Sequence, residues 1–407
     1  MMTSFPALRR REALLGLACA MTLGDSALAL SPPTGMAAPA PGQAAASRNR
    51  LVVVILRGAL DGMAAVTPYG DPDLAALRGS LLPPQPGQPG GLLDLGGFYG
   101  LHPALSGLHG LFQSGEFLPV HAVIGPTHSR SHFEAQDDLE SGAARRMTSG
   151  WLNRAVSLLP RIPGSPGDQA MAIGSVMPLL LRGPAPASSW SPEALQSPQP
   201  DLYARIAQLN GSDAVLGPAI AEGLRARGLG NAVLADSNPR NGNGFTTLAG
   251  AAGKLLAAPD GPQVAALEIG GWDTHAQQKQ RLAAPLSQLD AGLVALKAGL
   301  GDAWKQTAVL VMTEFGRTVR VNGTGGTDHG TGTVAFLLGG AIKGGRVGGV
   351  WPGLSQAKLF ENRDLAPTTD LRALAKGLLH HHLGLPAQSL AGIFPDSQAI
   401  SPASGLV

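Results

Sequence analysis

Carboxylates and imidazoles recur in this sequence in short, glycine-flanked clusters. Asp61-Gly62 follows Arg57-Gly58-Ala59-Leu60, and Arg130-Ser131-His132 follows Pro126-Thr127-His128-Ser129. Further on come Gly271-Trp272-Asp273-Thr274-His275, Glu314-Phe315-Gly316-Arg317-Thr318 and Gly326-Thr327-Asp328-His329-Gly330. Mixed carboxylate and imidazole donors are the set a divalent cation takes. Asp273 and His275 are two residues apart, so at the end of an extended segment both side chains face one side and can reach one ion. Glu314 closes an apolar run, where a carboxylate needs a cation or donors beside it. Asp328-His329, set in a glycine-rich turn, is the sharpest ligand signal. Two of these motifs also read as plain structure: Asp61-Gly62 as a turn and Asp273 as an Asx-turn. Ser131 stands before the helical stretch His132 to Glu140. There it reads either as an N-cap or as a nucleophile at a helix terminus that favours anions. His380-His381-His382 point in different directions from a helix and are expected to be a solvated helix end.

The clusters need elements to bring them together. Leu51 to Leu56 is an unbroken apolar run rich in β-branched residues, as in a parallel strand buried on both faces. Phe117–Gly125, Val264–Gly270, Thr307–Thr313 and Val334–Gly340 read as further inner strands. Between the third and fourth runs, Leu282, Leu286, Leu289, Leu293 and Leu296 share one face of a helix over 277–300, which makes a βαβ unit. Each cluster sits at an end of one of these runs. In an open parallel sheet, ligands bind beyond the carboxyl ends of the strands. The expected architecture is one α/β domain over 51–400, with a Pro-rich insertion or cap near 160–245.

Composition excludes several function classes. Lys and Arg number 30 against 28 Asp and Glu, so the basic surplus that phosphate-backbone binding requires is missing and no nucleic-acid partner is expected. Aromatic residues are 4% of the chain, which argues against a stacking platform. The apolar share of 44% is enough for a buried core. At the N-terminus, Arg9-Arg10-Arg11, the apolar stretch Ala13 to Leu23 and the small residues 26–29 form a secretory signal of twin-arginine type. Residues 1–29 are expected to be removed and 30–50 to be a flexible linker. The apolar stretch is too short to span a bilayer. Cys19, the single cysteine, lies in the signal in a poor lipobox, so no disulfide or thiol chemistry is expected. The mature chain is expected in the periplasm or medium, with no integral membrane segment.

The motifs Leu56-Arg57-Gly58 with Asp61-Gly62, Arg130-Ser131-His132-Phe133, Gly270 to His275, Thr313 to Thr318 and Gly326 to Gly330 resemble, in order, the twin-arginine-exported family called domain of unknown function 1501. That family is grouped with the alkaline phosphatase and sulfatase superfamily. The resemblance runs over roughly 50 to 390. It implies a three-layer α/β/α sandwich with a mostly parallel central sheet. In the superfamily pattern Asp61 stands at the first metal-binding Asp and Ser131 at the nucleophile. Asp273 matches an Asp usually followed by His four residues on. Here position 277 is Gln277 and the nearby histidine is His275. Glu314 stands where Asp is usual, without a His after it, and His329 occupies the last His position.

The resemblance implies an ester hydrolase acting at phosphorus or sulfur on a small anionic substrate. Asp61, Asp273, His275, Glu314, Asp328 and His329 are the expected ligands of Zn, Mn, Mg or Ca. These six exceed the needs of one ion, so some are expected to support ligands rather than bind. Ser131, His132, Arg130 and Arg317 are the expected catalytic set, either arginine clamping anion oxygens. The departures leave open one ion, an altered pair, or a metal-stabilised binding or assembly module without turnover. A serine esterase using Ser131 with His132 or His275 is a weaker reading, because no G-x-S-x-G elbow is present.

Overall fold

The apolar run Leu51 to Leu56 forms most of strand β1 (Arg50–Arg57), and each of these six residues is at most 1% exposed. Successive side chains on a strand point to opposite faces. Accordingly Val52, Val54 and Leu56 join one apolar cluster, while Leu51, Val53 and Ile55 join another. The computed structural model describes residues 48–161, 167–191, 206–234 and 244–407. The expected signal peptide and nearly all of the linker lie outside them.

The remaining strands are β2 (Val66–Thr67), β3 (Leu93–Asp94), β4 (Gly100–Leu101), β5 (Phe117–Ile124), β6 (Ala170–Ile173), β7 (Ser188–Trp190), β8 (Val264–Gly270), β9 (Thr307–Thr313), β10 (Thr333–Leu338) and β11 (Thr369–Asp370). Eight of them form one sheet in the order β11-β5-β10-β9-β1-β8-β6-β7, and β2, β4 and β3 form a small separate sheet. β1 pairs in parallel with β8 and β9, and β6 pairs in parallel with β7 and β8.

Helices cover both faces of the large sheet. Leu216–Leu234, Phe245–Ala257 and Ala283–Leu300 supply residues to the first cluster. Trp151–Val156, Leu371–Gly377 and Leu390–Ile393 supply residues to the second. The result is a three-layer α/β/α sandwich with a mostly parallel sheet.

Three features differ from the sequence expectations. β10 runs antiparallel to both β9 and β5. The segment from Glu314 to Gly332 stays at the edge where β9 ends, so β10 starts there and must run back. The described part of the Pro-rich region adds β6 and β7 to the main sheet rather than only capping it. Finally, His382 is no solvated end: it is 5% exposed, and its Nε2 lies 2.9 Å from the Arg50 carbonyl.

Among the described residues, no helix is long and apolar enough to cross a membrane.

Candidate metal centre

The carboxyl ends of β1, β8 and β9 lie side by side, as the registers Arg57 to Gly270 and Leu56 to Thr313 show. The loops that leave them carry the clusters. Gly58 turns the chain out of β1 at φ +118°, and a Cβ there would sit 2.9 Å from the Asp273 amide nitrogen, so no larger residue lets the two loops approach. Gly330 does the same for the last loop, since its Cβ would lie 2.4 Å from the Arg317 carbonyl carbon. The segments on either side of that turn are held by Gly330 N to Gly316 O at 2.8 Å and Thr318 N to Asp328 O at 2.9 Å.

His132, Asp273 and His329 converge, each offering one ligand atom, with all three atoms within 4.8 Å of one another. His329 Nε2 lies 3.3 Å from Asp273 Oδ1, and His132 Nε2 lies 3.6 Å from Asp273 Oδ2. His275 adds a further nitrogen: its Nε2 is 3.0 Å from both Asp273 Oδ1 and His329 Nε2. Ligand atoms about 2.0–2.1 Å from one ion stand about 3.0–3.4 Å apart, which matches the separations among Asp273, His275 and His329, while His132 Nε2 stands slightly further off at 3.6 Å.

Each imidazole presents Nε2 to the centre because Nδ1 is occupied elsewhere. His132 Nδ1 lies 2.8 Å from Glu314 Oε1, His275 Nδ1 lies 3.3 Å from Asp328 Oδ1, and His329 Nδ1 lies 2.8 Å from the Arg130 carbonyl. A hydrogen bond on one ring nitrogen sets which atom is left to bind. His132 Nε2 is buried and has no hydrogen-bond partner among the described residues. The residues present therefore fit a divalent cation: the set holds a carboxylate, three imidazoles and an orphaned acceptor.

The electrostatics keep the donors ready. Burial pushes the His329 pKa down, reinforced by His132 and Arg317 and opposed by the Arg130 carbonyl and Asp273, so the ring is neutral near pH 7. For Asp273, burial would raise the pKa, but the hydrogen bond and charge of Arg317 outweigh it and hold the carboxyl below its ordinary value. For Glu314, burial is likewise outweighed by hydrogen bonds, chiefly from Gln136, and the carboxyl stays ionised.

Several expected site residues have other work. Asp61 is 1% exposed and joins Arg78 in a buried ion pair, with Gln278 Nε2 donating to it at 2.6 Å, so its carboxylate is not in the cluster. Glu314 and Asp328 stand behind His132 and His275 as acceptors rather than beside the cation position. Arg317 is not an anion clamp. Its buried guanidinium donates to the carbonyls of Ala59 at 2.9 Å, Thr327 at 3.1 Å, Gly58 at 2.8 Å and Trp272 at 3.2 Å, and to Asp273. It ties three loops together and fixes the ligand carboxylate. Arg130 is paired with Asp364 at 2.6 Å and Glu361 at 2.7 Å. Ser131 holds the N-cap position of helix His132–Ser141, yet its side chain makes no cap hydrogen bond.

Three supporting residues escaped sequence reasoning. Gln136 lies one helical turn from His132, and that i, i+4 spacing was its signal. Arg78, paired with Asp61, and Arg363, whose Nη2 donates to the His329 carbonyl at 2.9 Å, carry no local signal for those contacts.

The family model described as "Protein of unknown function (DUF1501)" matches residues 118–394, and the chain belongs to that family. No curated protein matches the chain. Among solved structures, the chain is similar to the C-terminal periplasmic domain of EcEptC from Escherichia coli in complex with Zn. The identity is 9% and the TM-score 0.32, over 72% of this chain and 74% of that one. It is also similar to a protein in the alkaline phosphatase superfamily from Vibrio parahaemolyticus, at 13% identity and TM-score 0.30, over 84% of this chain and 71% of that one. A third, the lipoteichoic acid synthase LtaP from Listeria monocytogenes, shares 9% identity at TM-score 0.28, over 75% of this chain and 67% of that one.

Proposed function

We propose that this protein is an exported, metal-dependent hydrolase of phosphate or sulfate esters with a single divalent cation held by His132, Asp273 and His329, assisted by His275. The observation that carries the reading is the pair of Nε2 atoms of His275 and His329, 3.0 Å apart, each on a ring whose Nδ1 is already spoken for. With each ring's proton on Nδ1, two lone pairs face each other and repel, and a shared cation turns that repulsion into attraction. The N-terminal Arg9-Arg10-Arg11 and its apolar run support export.

A divalent ion bound there supplies Lewis acidity towards an ester oxygen and lowers the pKa of water beside it. The chain's own residues do the rest. Glu314 and Asp328 orient two of the imidazoles, and Arg317 holds Asp273 still. Asp273, 45% exposed, leaves the centre open to solvent and hence to substrate. Arg363 meets the anion: it is 41% exposed and anchored by Nη2 to the His329 carbonyl at 2.9 Å.

The test is metal content of the mature protein, followed by release of nitrophenol from phosphate monoester, phosphodiester and sulfate ester with Zn, Mn, Mg or Ca. A Ser131→Ala variant that retains metal but loses turnover marks Ser131 as nucleophile; retained turnover points to water. The second reading, a metal-stabilised binding or assembly module, is favoured by one fact. Both arginines first expected to clamp the anion are engaged elsewhere. Stoichiometric metal with no turnover on any of these esters supports that reading.

A further inference from the structure

Behind His132 runs a chain of polar side chains of which the hydrolase reading uses only Glu314. Arg57, at the end of β1, is clamped by Glu268 through Nε at 2.9 Å and Nη2 at 2.5 Å, and by Glu140 at 2.8 Å. Its Nη1 donates to Gln136 Oε1 at 3.0 Å. Gln136 Nε2 in turn donates to Glu314 Oε1 at 3.0 Å. That same oxygen accepts from the Gly58 amide at 2.8 Å and from His132 Nδ1 at 2.8 Å. The second carboxylate oxygen accepts from Thr313 Oγ1 at 2.9 Å.

Direction is forced along the chain. A guanidinium only donates, so the Gln136 oxygen must face Arg57 and its amide nitrogen must face Glu314. An ionised carboxylate only accepts, so His132 must carry its proton on Nδ1 and present a lone pair at Nε2. A flipped Gln136 amide would aim its oxygen at a carboxylate and its nitrogen at a guanidinium, and both contacts would be repulsive.

We propose that Gln136, oriented by Arg57, is a positioning residue: its donated hydrogen bond holds the Glu314 carboxylate in place against His132 Nδ1, so that the ring keeps its proton there and presents Nε2 to a cation, and without it the carboxylate is free to turn away. The use of that lone pair rests on the metal-centre reading; the tautomer itself does not. Outer hydrogen-bond partners of this kind typically contribute about 10- to 100-fold in metal affinity.

The experiment uses the metal-free full mature chain with 15N-labelled histidine, at pH 8, and long-range proton–nitrogen correlation spectra that distinguish the two neutral tautomers. The expected result is Nδ1–H at His132 in the wild type and a mixture of both tautomers in Gln136→Met. A Gln136→Met protein that binds Zn about 10- to 100-fold more weakly completes the expectation. Arg57→Lys keeps one donor towards Gln136 and should hold the wild-type tautomer, which a loss of packing alone would not explain. Unshifted signals from the buried His121 and His382 report that each variant is folded. An Nε2–H tautomer in the wild type, or an unchanged tautomer in Gln136→Met, overturns the proposal. If the tautomer responds as expected but the wild type binds no Zn, the proposal for Gln136 stands and the metal-centre reading falls.

Discussion

Arg78 and Asp61 form an ion pair whose side chains are 2% and 1% exposed, sealed by Gln278 on the carboxylate and by the carbonyls of Val319 at 2.8 Å and Thr318 at 2.5 Å on the guanidinium. The carboxylate at the end of the first strand is thus neutralised by a cation built into the chain. Removing one partner of such a pair leaves a buried charge uncompensated, at a cost of about 3–5 kcal/mol. Asp61→Ala is therefore expected to destabilise the protein by that amount in urea unfolding while leaving metal content intact. Loss of metal from a folded Asp61→Ala protein would place Asp61 at the centre after all.

His329 stands at the opposite extreme. It is partly exposed, with its Nε2 facing both Asp273 and His275. Truncating it leaves a solvent-reachable gap rather than a buried charge, so the fold should tolerate the change. His329→Ala is expected to lose the stoichiometric metal, read by elemental analysis, with stability altered by about 1 kcal/mol or less. Full metal content in this variant would refute the ligand assignment.

Much of this arrangement was legible in the sequence, and the reasons for the remainder are physical. β1, β5, β8, β9 and β10 announce themselves because strands buried on both faces are uninterrupted apolar runs. β6 and β7 are four and three residues long, too short for a pattern to show. Asp273, His275 and His329 stand out by residue type and by their place near strand ends, and the structure brings them together. Glu314 and Asp328 carry the same chemistry as ligands, and only the position of an imidazole Nδ1 reveals that they stand behind His132 and His275. Arg130 and Arg317 looked like anion clamps because sequence cannot show that backbone carbonyls and acidic partners already occupy their donors. The Arg78–Asp61 pair depends on a turn of the chain that brings the two together, and nothing local signals it.

The pH dependence of stability follows from histidines whose pKa burial lowers, His102 and His382 among them, and the most deeply buried is His121. This residue on β5 is fully buried, with Nε2 2.8 Å from the Val66 carbonyl. Burial pushes its pKa down to about 4, against small upward pulls from the Val66 carbonyl and Asp61 and a further downward push from Arg78. The folded pKa lies below the unfolded value, so as pH falls through about 6.5 the unfolded chain takes up the proton first. Stability declines from there until about pH 4, where the folded protein protonates as well, and the total is roughly 3 kcal/mol. The carboxylates with depressed pKa values, Asp273, Glu314 and Asp328, act in the same direction but only at lower pH, below their unfolded values near 4. His121→Gln is expected to make the decline between pH 6.5 and 4 shallower in urea unfolding, with His102 supplying part of what remains. An unchanged slope would mean that another group sets the acid limb.

Arg363 is a guanidinium beside His329 that remains reachable from solvent. Its Nη2 donates to the His329 carbonyl, which fixes it against a ligand, while its Nη1 stands 3.6 Å from Asp364 Oδ1, too far for a hydrogen bond. Its charge also contributes to holding the neighbouring Asp328 carboxyl below its ordinary pKa, after the larger effects of Asn322 and His275. A planar fork of donors beside the proposed cation centre suits a phosphate or sulfate oxygen pair. Hydrogen bonds to charged groups contribute about 1.5–3 kcal/mol, so Arg363→Ala is expected to weaken binding of inorganic phosphate to the Zn-loaded protein roughly 10- to 100-fold. Titration calorimetry at low salt measures this directly, and elemental analysis should show unchanged metal. Arg363→Lys, which keeps the charge but loses the fork, should fall between the two. Phosphate binding that is unaltered in Arg363→Ala would remove Arg363 from the substrate site and return weight to a centre that holds metal without recognising an anion.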